Sequence, residues 1–439
     1  MRVLLAFAGS RGDAQPGILL ARELAARGHR VTLAVSPNLV EFAEHHGISA
    51  APFGVDSEVL LRAQLDDTRF ASLNPYLRVR ALLDLQRRGV PEAGRDLLDI
   101  ATDAQVLVTG MACEELAAEV AAQRGVPLAA MHFFPIAPSR AVPVVPAAWG
   151  HRIPGSLNRL AWRALAWVRA RALEPALAEL RAEAPARYEA PGERVRIQAY
   201  DGELFPGLEL ELGGAPVTGF PVVPEDSEPA HNPVASNPIA GHPAASGVLD
   251  AWLSAGPAPV YVGFGSMQIP DPEGLERTIR AVCRHLSMRL LLSGSMFRQG
   301  FSPEVAVVRY VDHTSVLPRC AAAVHHGGAG TTAAALRAGV PSVICAVQAD
   351  QPYWGRQLET LGLGATLPFT DLTADRLEHA LTRATEPATV MRAAAYGMRF
   401  RDDGVSRAAD VVESMVPVAE RPDHSGTATG PTLFGGSPQ

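Results

Sequence analysis

The chain of 439 residues contains no lysine: its 39 basic residues are all arginine. That absence excludes a lysine Schiff base, pyridoxal-phosphate chemistry and a P-loop whose lysine grips a nucleotide. Cysteine is scarce as well. Cys113, Cys283, Cys320 and Cys345 show no C-x-x-C spacing, so neither a zinc knuckle nor a disulfide framework is indicated. Long hydrophobic runs are missing. The charge-free windows from Pro229 to Leu249 and from Ala251 to Pro270 are both broken by prolines, and the first apolar stretch, Val3 to Ala8, is too short for a signal peptide. With no membrane span in view, the expectation is a soluble cytoplasmic protein. Positive charge is not in excess either: 39 basic against 46 acidic residues leave −7, which argues against a nucleic-acid partner held through its phosphates.

At 47% hydrophobic and 19% charged, the chain holds enough apolar material for sizeable cores, and its length predicts two domains. Val3–Ala8 is continuously apolar, as a strand covered on both faces must be. Residues 9–16 then read as a loop, Ile18 to Arg27 as a helix closed by Gly28, and Val31 to Val35 as the next strand. This βαβ unit opens a doubly wound parallel sheet. A second unit runs through Val106–Thr109, a helix near Cys113–Gln123, and Pro127–Met131. Helical periodicity fills residues 58–100 and 157–183. Prolines at 221, 224, 229, 233, 238 and 243 mark residues 221–247 as a linker or surface loop. A second α/β series follows, with strands at Pro259–Phe264, Arg289–Leu292, Val305–Tyr310, Ala321–His325 and Ser342–Ala346, and helices at Gly274–Leu286 and Gly330–Ala338. Residues 418–439, rich in proline, glycine and serine, read as a disordered tail. The expected layout is an N-terminal Rossmann-like domain over 1–220, the linker, and a C-terminal Rossmann-like domain over 248–400.

The sharpest chemical signal is His325-His326-Gly327-Gly328-Ala329-Gly330-Thr331-Thr332, between a buried strand and an alanine-rich helix. Glycines there let backbone N–H groups approach a ligand, and a helix start carries partial positive charge, so a diphosphate suits it. His326 and Thr331 add donors. A plain glycine-rich turn is the bland alternative. His325 reads as a structural residue at the strand end, and His45, His46, His132 and His151 as surface or core histidines.

Three separated segments carry a resemblance: Gly9-Ser10-Arg11-Gly12-Asp13-Ala14-Gln15-Pro16, Ala255 to Met267, and Tyr310 to Gln351 with its H-H-G-G-A-G-T-T, R-A-G-V-P and A-D-Q-P-Y-W. Together they resemble the family 1 glycosyltransferases, in the bacterial branch that includes sterol-type glucosyltransferases and glycopeptide-antibiotic glycosyltransferases. The resemblance implies the α/β GT-B fold, two Rossmann-like domains facing a cleft, with the acceptor on the first and the donor on the second. It also implies a last helix, within 401–417, crossing back to the first domain.

By the same resemblance, Ser266 would reach the diphosphate, Tyr310 would stack on the uracil or thymine, and Val311 would pair with the base through its backbone. His326, Gly328, Gly330 and Thr331 would hold the diphosphate, and Asp350 and Gln351 the sugar hydroxyls. Gln351 is expected to both donate and accept. Asp312, His313 and Ala334 depart from the plant-type pattern, Ala334 standing where a ribose-binding glutamate is placed. Asp13 is the candidate base that takes the acceptor hydroxyl proton in an inverting transfer; capping the following helix is its alternative role. No D-x-D occurs, so no metal is expected on the diphosphate and no cofactor beyond the UDP- or TDP-sugar co-substrate. Phe133, Phe134 and Ile136, in the apolar stretch 131–149, are the candidate acceptor contacts, with core packing as the alternative.

The expected activity is transfer of a hexose, glucose first, to a hydroxyl of an apolar small molecule in natural-product or antibiotic biosynthesis, by a monomer or homodimer. A nucleotide-sugar epimerase or a catalytically silent helper of a partner enzyme are the alternatives. A Rossmann dehydrogenase is weaker, since no G-x-G-x-x-G follows the first strand.

Overall fold

The computed structural model describes residues 1–71, 75–147, 149–183, 192–223, 243–265, 267 and 269–416. Two parallel sheets divide the chain. The first comprises β1 (Arg2–Phe7), β2 (Arg30–Val35), β3 (Ala50–Pro52), β4 (Val106–Gly110), β5 (Leu128–His132) and β6 (Arg194–Gln198), in the order β3-β2-β1-β4-β5-β6. Its centre is as apolar as the sequence predicts: Leu5 faces Leu33 on one side and Val108 on the other, all fully buried. Around it lie α1 (Arg11–Ala26), α2 (Val40–Glu44), α3 (Ser57–Asp66), α4 (Pro75–Arg87), α5 (Val90–Ile100), α6 (Glu114–Arg124) and α7 (Gly155–Glu183).

The second half opens with α8 (Pro243–Ser254) and continues through β7 (Val260–Gly263), α9 (Pro272–His285), β8 (Leu290–Ser293), β9 (Gly300–Phe301), β10 (Val305–Val308) and α10 (His313–Val316). Then come β11 (Ala322–His325), α11 (Ala329–Arg337), β12 (Ser342–Ala346), α12 (Gln351–Leu361), β13 (Gly364–Pro368), α13 (Ala374–Ala384), α14 (Pro387–Gly397) and α15 (Gly404–Ser414). The strand order is β13-β12-β11-β7-β8-β10-β9, parallel except for the edge hairpin β9–β10. Among the described residues no helix is long and apolar enough to cross a membrane.

Several expectations need correction. Residues 9–16 are not all loop, because α1 begins at Arg11. The Asp13 carboxylate accepts the Ser10 N–H at 2.8 Å and so closes the first turn early. Pro16 withholds the donor that the Gly12 carbonyl would take, and Gly12 lies exposed where solvent serves it. The linker expected at 221–247 ends at Pro243, where α8 begins, and its residues 224–242 lie outside the described residues, as does the tail expected at 418–439. Tyr310 stands two residues beyond the end of β10. Strands β3, β6, β9 and β13 were not expected.

The halves are fastened by an aromatic and aliphatic core. Phe134, Trp162, Phe205 and Phe220 from the first half pack with Trp354, Leu358 and Tyr396 from the second. The Tyr353 hydroxyl donates to the Val144 carbonyl at 2.6 Å, and the Tyr396 hydroxyl donates to Asp201 Oδ2. Helix α15 crosses back onto α1. There Arg27 binds Asp410 at 2.6 Å and Glu413 at 2.8 Å, and Ala408, Ala409 and Val412 are fully buried in the first core.

Gly404 is the tightest point of that crossing. A Cβ there would lie 2.2 Å from the Phe220 carbonyl oxygen, which is backbone and cannot rotate away. Gly404→Ala is therefore expected to destabilise the protein by about 1–3 kcal/mol, the usual cost of overpacking. Denaturant unfolding measures it; a midpoint equal to that of the wild type would show that the crossing can shift freely.

Candidate active site

Both sheets reverse their strand order beside a central strand, between β1 and β4 in the first and between β7 and β11 in the second. Loops leaving the carboxyl ends of strands at such points form the crevice where open α/β sheets bind ligands. The expected site residues fall on these loops and on the loops beside them.

In the first half, Asp13 sits at the third position of α1, half-buried. Its Oδ2 accepts both the Ser10 N–H at 2.8 Å and the Ser10 hydroxyl at 2.9 Å. Burial raises the Asp13 pKa above the ordinary carboxylate value, against the pull of the Ser10 bonds. Beneath it Cys113 is buried, 3.1 Å from the Thr109 hydroxyl, which donates to the Ala6 carbonyl. Arg11, one turn-start earlier, lies over the Phe42 ring at 4.4 Å and within electrostatic reach of the Tyr310 phenol.

In the second half, the loop from β11 to α11 places His325 and His326 differently. His325 is fully buried, and its Nδ1 accepts the Gly327 N–H at 3.1 Å, so it shapes the loop as the sequence suggests. His326 is half-buried between glycines: a Cβ on Gly328 would lie 2.6 Å from its Nε2, and one on Gly265 3.0 Å from its Cε1. Burial, with His313 nearby, pushes the His326 pKa down to about 4, so the ring is neutral at pH 7. Its Nδ1 is buried and has no partner among the described residues. Gly328 is the N-cap of α11, and the first helical bond is made by the Thr332 N–H to its carbonyl at 2.9 Å. The N–H groups of Ala329, Gly330 and Thr331 precede that bond and remain available to a ligand.

The loop from β12 to α12 completes the cleft. Asp350 caps α12, and its Oδ2 accepts the indole N–H of Trp354 at 2.9 Å. Burial, reinforced by the charge of Asp13 across the cleft, pushes the Asp350 pKa up to about 6. The expectation that Gln351 both donates and accepts is not met. Its Oε1 already accepts the N–H groups of Val347 at 2.9 Å and Gln348 at 3.2 Å, which leaves the amide nitrogen as its free polar group. That clasp holds Ala349 at φ +54°, a conformation alanine rarely adopts. Gln348 in turn accepts from Gln64 of α3 at 2.7 Å, across the cleft.

Tyr310 is 40% exposed, and among the described residues the backbone of Val311 makes no hydrogen bond. Ser266 lies outside the described residues. The acceptor expectation is corrected for two residues. Phe133 and Phe134 are 8% and 4% exposed, packed on Phe7 at 6.2 Å and on Tyr353 at 4.6 Å, so both rings are spent on the core. Ile136 is half-buried against the interdomain cluster. Trp354 and Ser10 were missed as supports. The i, i+4 spacing of Asp350 and Trp354 was a usable signal for the first, and the Ser-x-x-Asp spacing for the second.

Comparison with known proteins agrees with this architecture. Residues 3–122 match the glycosyltransferase family 28 N-terminal domain, and residues 298–417 match the C-terminal domain of erythromycin biosynthesis protein CIII-like proteins. An uncharacterized glycosyltransferase of Mycobacterium tuberculosis is 35% identical over 94% of this chain and 98% of its own length. A sterol 3-beta-glucosyltransferase of Arabidopsis thaliana is 26% identical over 96% of this chain and 66% of its own. Among solved structures, the calicheamicin glycosyltransferase CalG4 superposes with a TM-score of 0.66 at 18% identity, covering 96% of this chain and 99% of that one. The glycosyltransferase VinC in complex with dTDP gives 0.62 at 20% identity, covering 94% and 100%. The chain therefore belongs to the glycosyltransferases of the GT-B fold, in the family 1 branch with a family 28-type N-terminal domain and an EryCIII-like C-terminal domain.

Proposed function

We propose that the chain transfers a hexose from a UDP- or TDP-sugar, with inversion at C1, to a hydroxyl of an apolar natural-product or sterol-like acceptor. One observation carries the reading. Asp13 from the first half and Asp350 from the second lie within electrostatic reach of each other, so that the charge of Asp13 adds to the burial that raises the Asp350 pKa. The loop before α11, with its free N–H groups, lies against the same α12 start, since a Cβ on Gly327 would be 3.4 Å from Gln351 Cβ. A sugar held by Asp350 thus has a base on one side and an anion-binding helix start on the other. Relatives named for sterol and calicheamicin transfer support the apolar acceptor.

In this reading the acceptor oxygen attacks C1 while the C1–O bond to the diphosphate breaks, and the bonding pair leaves with the diphosphate. Asp13 takes the hydroxyl proton. Its raised pKa makes it a better base than a free aspartate, and proton transfer late in the reaction suits a carboxylate. The α11 N–H groups and a neutral His326 N–H meet the departing oxygens, dipoles aimed where charge develops. Tyr310 offers its exposed ring to the base, and Val311 its unpaired backbone. Asp350 keeps Oδ1 for sugar hydroxyls while Oδ2 holds Trp354.

Asp13→Asn is expected to lower kcat by roughly 10²–10⁴-fold, the range of a lost general base, with donor KM little changed. A folded variant turning over at the wild-type rate would remove Asp13 from the mechanism. His326→Ala is expected to weaken nucleoside diphosphate binding by about 1.5–3 kcal/mol, the worth of a hydrogen bond to a charged group; calorimetry with UDP and TDP reads it. A chelator is expected to leave the rate unchanged.

Asp350 also has a stability signature. Its folded pKa, about 6, lies above its unfolded value near 3.9, so its contribution to stability is greatest in acid and is lost as pH rises through 6. Asp350→Asn keeps an acceptor for Trp354 and removes the charge. The variant is expected to be more stable than wild type at pH 7.5, by on the order of 3 kcal/mol, with the gain vanishing below about pH 4. A gain independent of pH would mean that the charge is not what strains the site. Removing the Asp350 charge is expected to move the acid limb of kcat/KM down in a variant that retains activity.

The donor follows from the same carboxylate, which can only accept hydrogen bonds and so favours a sugar with hydroxyls at C3 and C4, glucose first. A deoxysugar would leave Asp350 Oδ1 without that partner, at a cost of about 1–3 kcal/mol. Comparison of kcat/KM for UDP-glucose, TDP-glucose and a TDP-4,6-dideoxysugar decides it. A preference above about tenfold for the dideoxysugar, or 1.4 kcal/mol in the wrong direction, would overturn the role of Asp350.

A further inference from the structure

Helix α7 has a finished inner face and an outer face that nothing covers among the described residues. Inward, Trp162, Leu173, Leu177 and Leu180 are buried, and the Trp162 indole donates to the Val142 carbonyl at 2.9 Å. Outward, Leu157, Leu160, Ala164, Trp167 and Arg171 recur at three- and four-residue steps and so share one stripe. Leu157 is 53% exposed, Leu160 61% and Trp167 67%; Trp149, in the loop just before the helix, is 57% exposed. Among the described residues no other element carries as many large exposed apolar side chains as α7, and solvated surface offers no reason for them.

Charge tells what covers the stripe. Between Glu119 and Glu174 the chain has seven arginines and no acidic residue, in a protein whose net charge is −7. Arg169 is taken by Glu115 at 2.7 Å, but exposed Arg152, Arg163 and Arg171 have no ion-pair partner among the described residues. A second copy packed through a two-fold axis would set these arginines against themselves. Tryptophan and leucine flanked by unpaired arginine instead suit the boundary of an anionic bilayer, where indole rings sit at headgroup level and guanidinium groups meet lipid phosphates.

We infer that this face docks the protein on an anionic lipid surface. Arg169 also binds the Met111 carbonyl at 2.5 Å, just beyond β4, and Trp162 packs on Phe134 just beyond β5. The docking helix is thereby joined to the carboxyl end of the first sheet, the side from which an apolar acceptor dissolved in lipid would enter. The docking stands apart from the transferase reading and is tested without it.

The test is cosedimentation of the full chain with phosphatidylcholine vesicles, with and without phosphatidylglycerol, at low and high salt. Binding is expected only with phosphatidylglycerol, weakening as salt rises. Arg163→Gln with Arg171→Gln is expected to lower affinity about fivefold per arginine. Leu160→Ser with Trp167→Ser is expected to lower it by at least about tenfold, with the melting temperature unchanged in both. No binding to the anionic vesicles overturns the inference. So does binding that survives the apolar pair, which would mark a charge-only surface such as an acidic protein would use. A dimer in light scattering that the apolar pair converts to monomer would assign the face to a second copy and overturn it as well.

Discussion

The hydrogen bond from Trp354 to Asp350 joins the packing of this molecule to its chemistry. Trp354 is fully buried, with Phe134, Phe205 and Phe220 of the first half within 5.5–6.0 Å of its ring. A buried indole must place its N–H on a partner, and the partner is a cleft carboxylate. The aromatic cluster that fixes one half against the other therefore also fixes where Asp350 stands relative to Asp13. A change in packing at Trp354 is felt at the site without touching a ligand.

Two other fastenings act at a distance from that bond. Helix α15 returns to the first sheet and is held on α1 by Arg27, while Tyr353 and Tyr396 tie α12 and α14 to the loops after β5 and β6. Between these ties Gln64 of α3 donates to Gln348, in the loop before α12, at 2.7 Å. Two non-glycine residues among those described take a left-handed φ, Ser287 and Ala349, and the second lies in the loop that carries the sugar-binding candidates, where Gln351 spends its carbonyl on holding it.

What the sequence made legible follows from burial. Strand β12, fully buried and apolar after Ser342, is read to the residue as Ser342–Ala346. Strand β6, Arg194–Gln198, alternates arginine with apolar residues at the sheet edge, and β13 is bounded by glycine and proline, so neither gives the buried-strand pattern. The start of α1 was hidden because Gly12 and Pro16 are both poor helix formers, and only the Ser10–Asp13 pair overrides them. Among site residues, the glycine-rich loop was legible because its chemistry is local. The approach of Asp13 to Asp350 was not, since it depends on how two sheets pack across more than three hundred residues of chain. Apolar composition likewise marked Phe133 and Phe134, but a sequence pattern cannot distinguish a ring that lines a pocket from one that fills a core.

Desolvation tunes the two sides of the cleft in opposite directions. It raises the carboxylates, Asp13 and Asp350, and lowers the imidazole of His326. The cleft then holds two carboxylates at one end and, at neutral pH, a neutral histidine beside uncharged helix-start N–H groups at the other. A diphosphate carried into it would be repelled from the carboxylates and attracted only to the start of α11. In the proposed reaction this fixes the direction of the donor: phosphates toward His326 and Gly330, hexose toward Asp350, with C1 between the departing oxygen and Asp13. A protonated His326 would bind the ground-state diphosphate more tightly. A neutral one holds it by dipoles alone, so that the attraction grows as negative charge moves onto the leaving oxygen, and differential stabilisation of that kind is what lowers a barrier.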